Sequence, residues 1–521
     1  MEFHILLTTA RSIVIELQDE KSCYHTEEYK IICNGEEVMT SNKVVETLYG
    51  LSPDTDYTLS IVQGDQYSTD VKVHTNEEFV TLNVKDFRAK GDGISDDTIF
   101  LQAAIMSCPK NSRVLVPKGT YKFTNLFLKS NIIIELEEGA VLSAFIDKTK
   151  FPVLPGRVES YDERSEYLLA SWEGNPLDSF ASLITGIEVE NVLICGKGTI
   201  DGCASFDNWW DQEKRKNDPA RPKMLFLNNC KNVTLQGVTI TNSPAWNLHP
   251  YFSKSIRFYD ITILSPSNSQ NTDGIDPESC DDVEIVGVYF SVGDDCIAIK
   301  SGKIYMGKTY KTPSKNFIIR HSYMKKGHGA VTIGSEIAAG VDNIKVMNCK
   351  FEETDRGLRI KTRRGRGEDS VLQNIYFKNI EMDHVQTPFV VNSFYFCDPD
   401  GRTNYVSSKE ALPVDERTPS IKDLKFKNIV CKNCHVAAAY FYGLPEKKIE
   451  SVTMENIKVT YAKDAKKGKA AMMIGCEPSV KRGLFARNIK HLSLKNVSID
   501  GSDGIVLDID KVDNLETDVK E

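Results

Sequence analysis

Apolar and polar residues alternate in short bursts near the start of the chain. Ser12-Ile13-Val14-Ile15-Glu16-Leu17, Tyr29-Lys30-Ile31-Ile32-Cys33, Tyr57-Thr58-Leu59-Ser60-Ile61-Val62 and Val71-Lys72-Val73-His74-Thr75 each read as a strand. Turn formers such as Asn34-Gly35 and Ser52-Pro53-Asp54 separate them. Short strands at this spacing predict a small β-sandwich over residues 1–76.

A second pattern begins near Phe79 and predicts another domain over residues 77–521. Asp92-Gly93-Ile94-Ser95-Asp96-Asp97-Thr98 leads into Ile99–Met106, where Asp96 or Asp97 can cap a short amphipathic helix. From about residue 130 one unit recurs: a polar residue, a few alternating residues, then another apolar pair. It starts at Asn191, Asn232, Ser255, Asp282, Asn316, Asn343, Asn374, Asp423, Ser451 and His491, and the starts from 232 to 374 lie 23 to 34 residues apart. Such a period signals a solenoid or a propeller. Each unit holds strands with no helix between them, and most are shorter than the roughly 40–45 residues of a propeller blade. The expected fold is all-β, a right-handed parallel β-helix preceded by the small sandwich. Wider gaps mark loops inserted on the coils, at about 151–180, 203–223 and 386–420, and such loops often form a solenoid's binding face.

Composition narrows the class. Among 521 residues, 64 Lys+Arg stand against 73 Asp+Glu, a net charge of −9. An acidic chain is a poor nucleic-acid binder, and an anionic partner needs a local basic patch. No run approaches the ~18 apolar residues of a membrane span, so no membrane partner is expected. The start, Met1-Glu2-Phe3-His4-Ile5-Leu6-Leu7, lacks a basic leader and the roughly 7–15 apolar residues of a secretory signal. Thirteen scattered cysteines, an odd number, read as reduced, packed thiols of a cytoplasmic protein, the Cys431/Cys434 pair included.

Candidate chemistry falls on successive coils. Asn271-Thr272-Asp273-Gly274, Gly293-Asp294-Asp295-Cys296, Gly327-His328-Gly329 and Arg359-Ile360-Lys361 are each about one coil apart. Parallel strands stack at roughly 4.8 Å, so three carboxylates, one imidazole and two cations converge. Arg359 and Lys361, two apart, share a strand face. Asp294 and Asp295 are adjacent and need a bend, which Gly293 permits. Carboxylates this close cannot all ionise freely, and one retained proton beside ionised partners is what acid–base cleavage of a glycosidic bond requires. Arg356, Arg359, Lys361, Arg363, Arg364 and Arg366, with Lys300 a coil earlier, form a basic patch whose guanidinium forks suit carboxylates. His249 either lines a sugar subsite or packs in its loop, and Trp209-Trp210 either stacks on sugar rings or anchors a loop. Asn232-Val233-Thr234 and Asn496-Val497-Ser498 match the glycosylation pattern but lie inside strands and are discounted.

These four clusters, in this order on a β-helix, resemble the polygalacturonases of glycoside hydrolase family 28 over roughly residues 79–510. Asp92 to Tyr121 resembles the capping segment of the wider pectin-lyase-like superfamily. Leu48-Tyr49-Gly50-Leu51-Ser52-Pro53-Asp54-Thr55-Asp56-Tyr57 resembles the corner before a late strand of fibronectin type III domains. The family resemblance implies inverting hydrolysis of α-1,4-linked galacturonate chains, with no cofactor and no metal. It makes Asp294 the general acid, Asp273 and Asp295 the activators of water, and His328 a partner of the acid's proton. Arg359 and Lys361 would bind the galacturonate carboxylate, with Asn271, Lys300 and His249 as further substrate contacts. Inverting enzymes generally separate their carboxyls by about 6.5–9.5 Å, more than adjacent coils predict. The inserted loops and the sandwich, walling one end of the cleft, favour exo action releasing galacturonic acid. An endo-polygalacturonase and a hydrolase of xylogalacturonan or rhamnogalacturonan are close alternatives. A Ca²⁺-dependent lyase and a non-catalytic carbohydrate-binding β-helix are more distant ones.

Overall fold

The computed structural model describes residues 2–159, 166–211 and 218–519. Six residues of each of the first two inserted loops, 160–165 and 212–217, lie outside the described residues.

The first strands build two antiparallel sheets. One holds β1 (Phe3–Thr8), β2 (Ser12–Leu17) and β5 (Val45–Tyr49). The other holds β3 (Tyr24–Cys33), β4 (Glu36–Lys43), β6 (Asp56–Gln63), β7 (Gln66–Tyr67) and β8 (Val71–His74). Alternate residues of the two inner faces (Ile13, Ile15, Tyr29, Ile31, Leu59 and Ile61) fill the core between them. The Ser52 amide donates to the Tyr57 hydroxyl at 2.8 Å, tying the turn before β6 to that strand, in the manner of the tyrosine corner of immunoglobulin-like sandwiches.

From Thr81 onward the strands join one large parallel sheet system that coils along its axis, the expected β-helix. Each coil stacks on the next in register: Phe258 faces Ile285, Ile285 faces Ile319, Ile319 faces Val346, and Val346 faces Phe377. These side chains point inward and are fully buried, so every coil adds a layer to one continuous core. The helix α1 (Thr98–Ser107) closes the N-terminal end with Leu101, Ala104 and Ile105. Asp96 makes the cap-like bond, accepting from the Thr98 amide at 3.1 Å, whereas Asp97 turns inward to the amides of Lys90 and Gly91.

The recurring polar residue of the sequence pattern has a physical cause. Asn191, Asn232, Asn316, Asn343 and Asn374 all sit at positive φ, in the left-handed region that asparagine tolerates at a turn. Their amides bond from coil to coil, Asn191 to Asn131 at 3.0 Å, Asn232 to Asn191 at 2.7 Å and Asn343 to Asn316 at 2.8 Å. Asn232 and Asn496 take such turns, their amides donating to Asn191 and Asn456.

The sandwich docks on the flank of the helix. Val14 and Val45 pack with Tyr259 and Val286 in a small buried cluster. Around it, Lys43 and Thr47 hold Asp260, at 2.6 and 2.8 Å. Buried Glu16 meets Arg320 at 2.6 and 2.9 Å, His321 at 3.1 Å and His4 at 2.9 Å.

Candidate active site

The four clusters do meet, along a cleft of about 330 Å³. Its floor is the strand row in which Ile297, Val331, Leu358 and Phe389 stack coil on coil. Asp273, Asp294 and Asp295 each offer a carboxylate oxygen within 4.8 Å of the others. Asp273 and Asp295 are buried, and Asp294 alone of the three is partly exposed to the cleft.

The loops carrying these residues are tied by short-range chemistry. The Thr272 hydroxyl lies 2.6 Å from that of Ser269 and accepts the Gly293 amide at 3.2 Å, fastening the Asp273 turn to the Asp294 turn. Gly293 is required for space, not for an unusual φ: a β-carbon there would stand 2.2 Å from the Ser269 carbonyl oxygen. A β-carbon at Gly329 would stand 2.2 Å from Thr332 Oγ1 and 2.8 Å from Asp295 Oδ1. The glycines flanking the chemistry therefore let three coils close on one another.

The cations sort the carboxylates. Arg359 Nη1 donates to Asp295 Oδ1 and Lys361 Nζ to Oδ2, both at 2.9 Å. Burial alone would raise Asp295, but the Lys361 ammonium and then the Arg359 guanidinium hold it well below the usual carboxylate range. Burial, then the nearby carboxyls of Asp276 and Asp294, push Asp273 well above that range. Asp295 is thus held toward its ionised form and Asp273 toward its protonated form. Both Asp295 oxygens are already engaged, one by Arg359 and the other by Lys361.

His328 stands at the cleft with 51% of its side chain exposed. Its Nδ1 lies 2.8 Å from Asp355 Oδ2, and this bond, opposed by burial and aided by the charge of Asp294, raises its pKa. Asn271 lines the cleft at φ 54°, its Oδ1 accepting from Arg221 at 2.6 Å. Lys300 also lines it, but the buried amine is engaged by Glu336 at 3.1 Å and Asp276 at 3.6 Å. Burial opposes the charge on Glu336, and Lys300 and Lys361 overcome it to hold that carboxyl far below its ordinary range.

Several expectations are corrected. His249 is fully buried, packed at 4.9 Å from the Trp246 ring and 3.1 Å from Glu278, so it touches no cleft. Burial there favours neutral groups: His249 is held well below its ordinary range, and Glu278 is pushed up to about 7. Trp209 and Trp210 are core residues, Trp209 at 5.6 Å from Phe151, and offer no platform to a sugar. Arg363, Arg364 and Arg366 are buried and spent on protein partners: Arg363 on Asp398 and Asp400, Arg364 on Glu446, Arg366 on Asp398. The basic patch at the cleft reduces to Arg359, Lys361 and Lys300. The sandwich supplies none of the cleft lining, because it docks on the flank around Tyr259 and Arg320. The inserted segments do contribute: Glu173, Tyr395 and Asp398 line the cleft.

Glu173, Glu336 and Tyr395 were missed by sequence reasoning. Glu336 was findable: the strand Val331–Gly334 stacks on Ile297–Ile299, so the residues after Gly334 come beside Lys300. Glu173 and Tyr395 lie in inserted segments whose course no periodicity reports.

The chain's likenesses agree with this geometry. The family model described as glycosyl hydrolases family 28 matches residues 109–476, and one described as rhamnogalacturonase A/epimerase, pectate lyase-like, matches residues 81–134. A probable polygalacturonase of Vitis vinifera is 30% identical over 395 residues, 74% of this chain and 76% of that one. An endo-polygalacturonase of Pectobacterium parmentieri is 30% identical over 384 residues, 70% of this chain and 85% of that one. The fold of a family 28 exopolygalacturonase from Yersinia enterocolitica superposes with a TM-score of 0.71 at 20% identity, covering 99% of both chains. A match to more than half of the chain, over coils that bring three aspartates together, is decisive: the protein belongs to the glycosyl hydrolases of family 28.

Proposed function

We propose that this glycoside hydrolase cleaves α-1,4 linkages of polygalacturonate and its oligomers from one chain end, releasing galacturonic acid. The observation that carries the reading is the convergence of three carboxylates, with Asp295 gripped by Arg359 and Lys361 and Asp294 left open to the cleft. Asp295 takes the proton of the attacking water, with Asp273 completing that water's shell. Two oxygens up to 4.8 Å apart can share one water at ordinary hydrogen-bond lengths. Asp294, the member open to the cleft, acts as the general acid toward the leaving oxygen. The N–H groups of Arg359 and Lys361 not spent on Asp295 suit a uronate carboxylate.

Exo action is supported by the segments that bring Glu173, Tyr395 and Asp398 into the lining, where a bare coil would leave an open groove. The N-terminal sandwich, which we read as fibronectin type III-like, braces the coils from the flank. Product analysis on polygalacturonate tests the reading. Galacturonic acid alone at the earliest time points is expected. A ladder of oligomers would overturn exo action, and an unsaturated uronate absorbing in the ultraviolet would overturn hydrolysis.

A further inference from the structure

Behind His328 stands a row of polar side chains that hydrolysis as outlined above does not use. His328, Asp355 and Gln386 occupy the same turn on three successive coils. The Asp355 amide donates to the Gly327 carbonyl at 2.9 Å, and the Gln386 amide to the Thr354 carbonyl at 3.2 Å. Their side chains form a chain of bonds. Gln386 Nε2 donates to Asp355 Oδ1 at 2.6 Å, and Asp355 Oδ2 lies 2.8 Å from His328 Nδ1. Arg356 adds a guanidinium donor on Oδ2 at 3.2 Å. The His328 amide is itself pinned, donating to the Asp294 carbonyl at 3.0 Å.

A carboxylate that accepts from Gln386 and Arg356 presents only lone pairs to the imidazole. Nδ1 must therefore carry a proton and donate it. That fixes the ring's orientation and leaves Nε2 for the cleft.

We propose that Asp355 is a positioning residue for the reaction: it holds His328 with its proton on Nδ1, so that Nε2 serves Asp294. The inference rests on the hydrolase reading of this cleft. The charged groups that face the imidazole are Asp355, Asp294 and Asp295, and Arg356 and Arg359 act on Asp355 from the strand that follows it in the same coil. Because the Asp355 bond raises the titration of His328, removing it moves that titration to lower pH.

The test is Asp355→Asn. The amide oxygen can keep Gln386, and its NH₂ then opposes Nδ1 and disfavours the Nδ1 proton. With trigalacturonate as substrate, kcat is expected to fall roughly 10- to 100-fold, below the full worth of a general acid, with KM little changed. The alkaline limb of the pH–rate profile moves to lower pH. Nitrogen-15 spectra of the nine histidines, with His328 assigned by loss of its signal in His328→Asn, give a readout independent of turnover. A proton on Nδ1 in the wild type, lost in Asp355→Asn at neutral pH, supports the proposal. Should Asp355→Asn fail to fold, the wild-type spectrum decides alone, and a proton on Nε2 only overturns the proposal. Superimposable pH profiles with turnover within twofold overturn it as well. A wild type that leaves trigalacturonate intact refutes the substrate reading, and the imidazole spectrum still decides the role of Asp355.

Discussion

Glu16 is the sharpest test of how the sandwich is held to the helix. The carboxylate is 2% exposed and meets Arg320, His321 and His4 together. Burial works against its charge, and the bonds from His321 and Arg320 overcome this, bringing it from an ordinary 4.5 down to about 2. At about 1.36 kcal/mol per pH unit, that depression is worth about 3 kcal/mol. An exposed ion pair would contribute about 0–1 kcal/mol, whereas breaking a buried one costs about 3–5, so the structure places Glu16 with the latter. The sign follows from the depression: the stabilisation is fully present above about 4.5 and is lost as pH falls toward 2. Glu16→Gln keeps the shape and removes the charge. It is expected to destabilise docking by about 3 kcal/mol at pH 7, with the gap from wild type closing below pH 4.5. Hydrogen exchange of the Ser12–Leu17 amides reads this directly, because those amides lie against the interface and all four tryptophans are in the helix. A gap under about 1 kcal/mol at pH 7, or one that does not vary with pH, would refute the reasoning.

Two further substitutions separate support from chemistry. His249→Ala should leave KM within twofold and lower stability by about 2–4 kcal/mol, from the cavity and the stranded Glu278, as read by denaturant unfolding; a tenfold rise in KM would restore His249 to the substrate. Phe351→Ala empties a fully buried position stacked on Met324 and should cost about 3–5 kcal/mol in the same assay, while a loss under 1 kcal/mol would mean that the coils relax around it.

The coils were legible because the polar residue that opens a unit does one job, taking the left-handed turn as Asn232, Ser255, Asp282 and Asn343 do, and the asparagines also bond from coil to coil. The catalytic patch was legible for a related reason, since residues one coil apart in sequence become neighbours in space. The sequence misled where a side chain's fate depends on what covers it. Arg363 and Arg364 come just after Lys361 and Thr362, yet the strand ends at Lys361 and the two arginines are buried against Asp398, Asp400 and Glu446. His249 shares a strand row with Asp276 and is sealed under Trp246. Gly293, read as permitting a bend, is needed for space, as is Gly329: they leave room for a carbonyl, a hydroxyl and the Asp295 carboxylate.

The central claim is direct displacement by a water held at Asp273 and Asp295, with the proton supplied from Asp294. The carboxylate oxygens approach within 4.8 Å, nearer the roughly 5–5.5 Å of retaining enzymes than the 6.5–9.5 Å of inverting ones. The stereochemistry of the first product is therefore the measurement to make. Proton NMR of trigalacturonate during the first minutes of turnover should show β-galacturonic acid, inverted from the α-linkage, before mutarotation mixes the anomers. The α-anomer appearing first would mean a covalent intermediate on one of these aspartates, and would contradict the account.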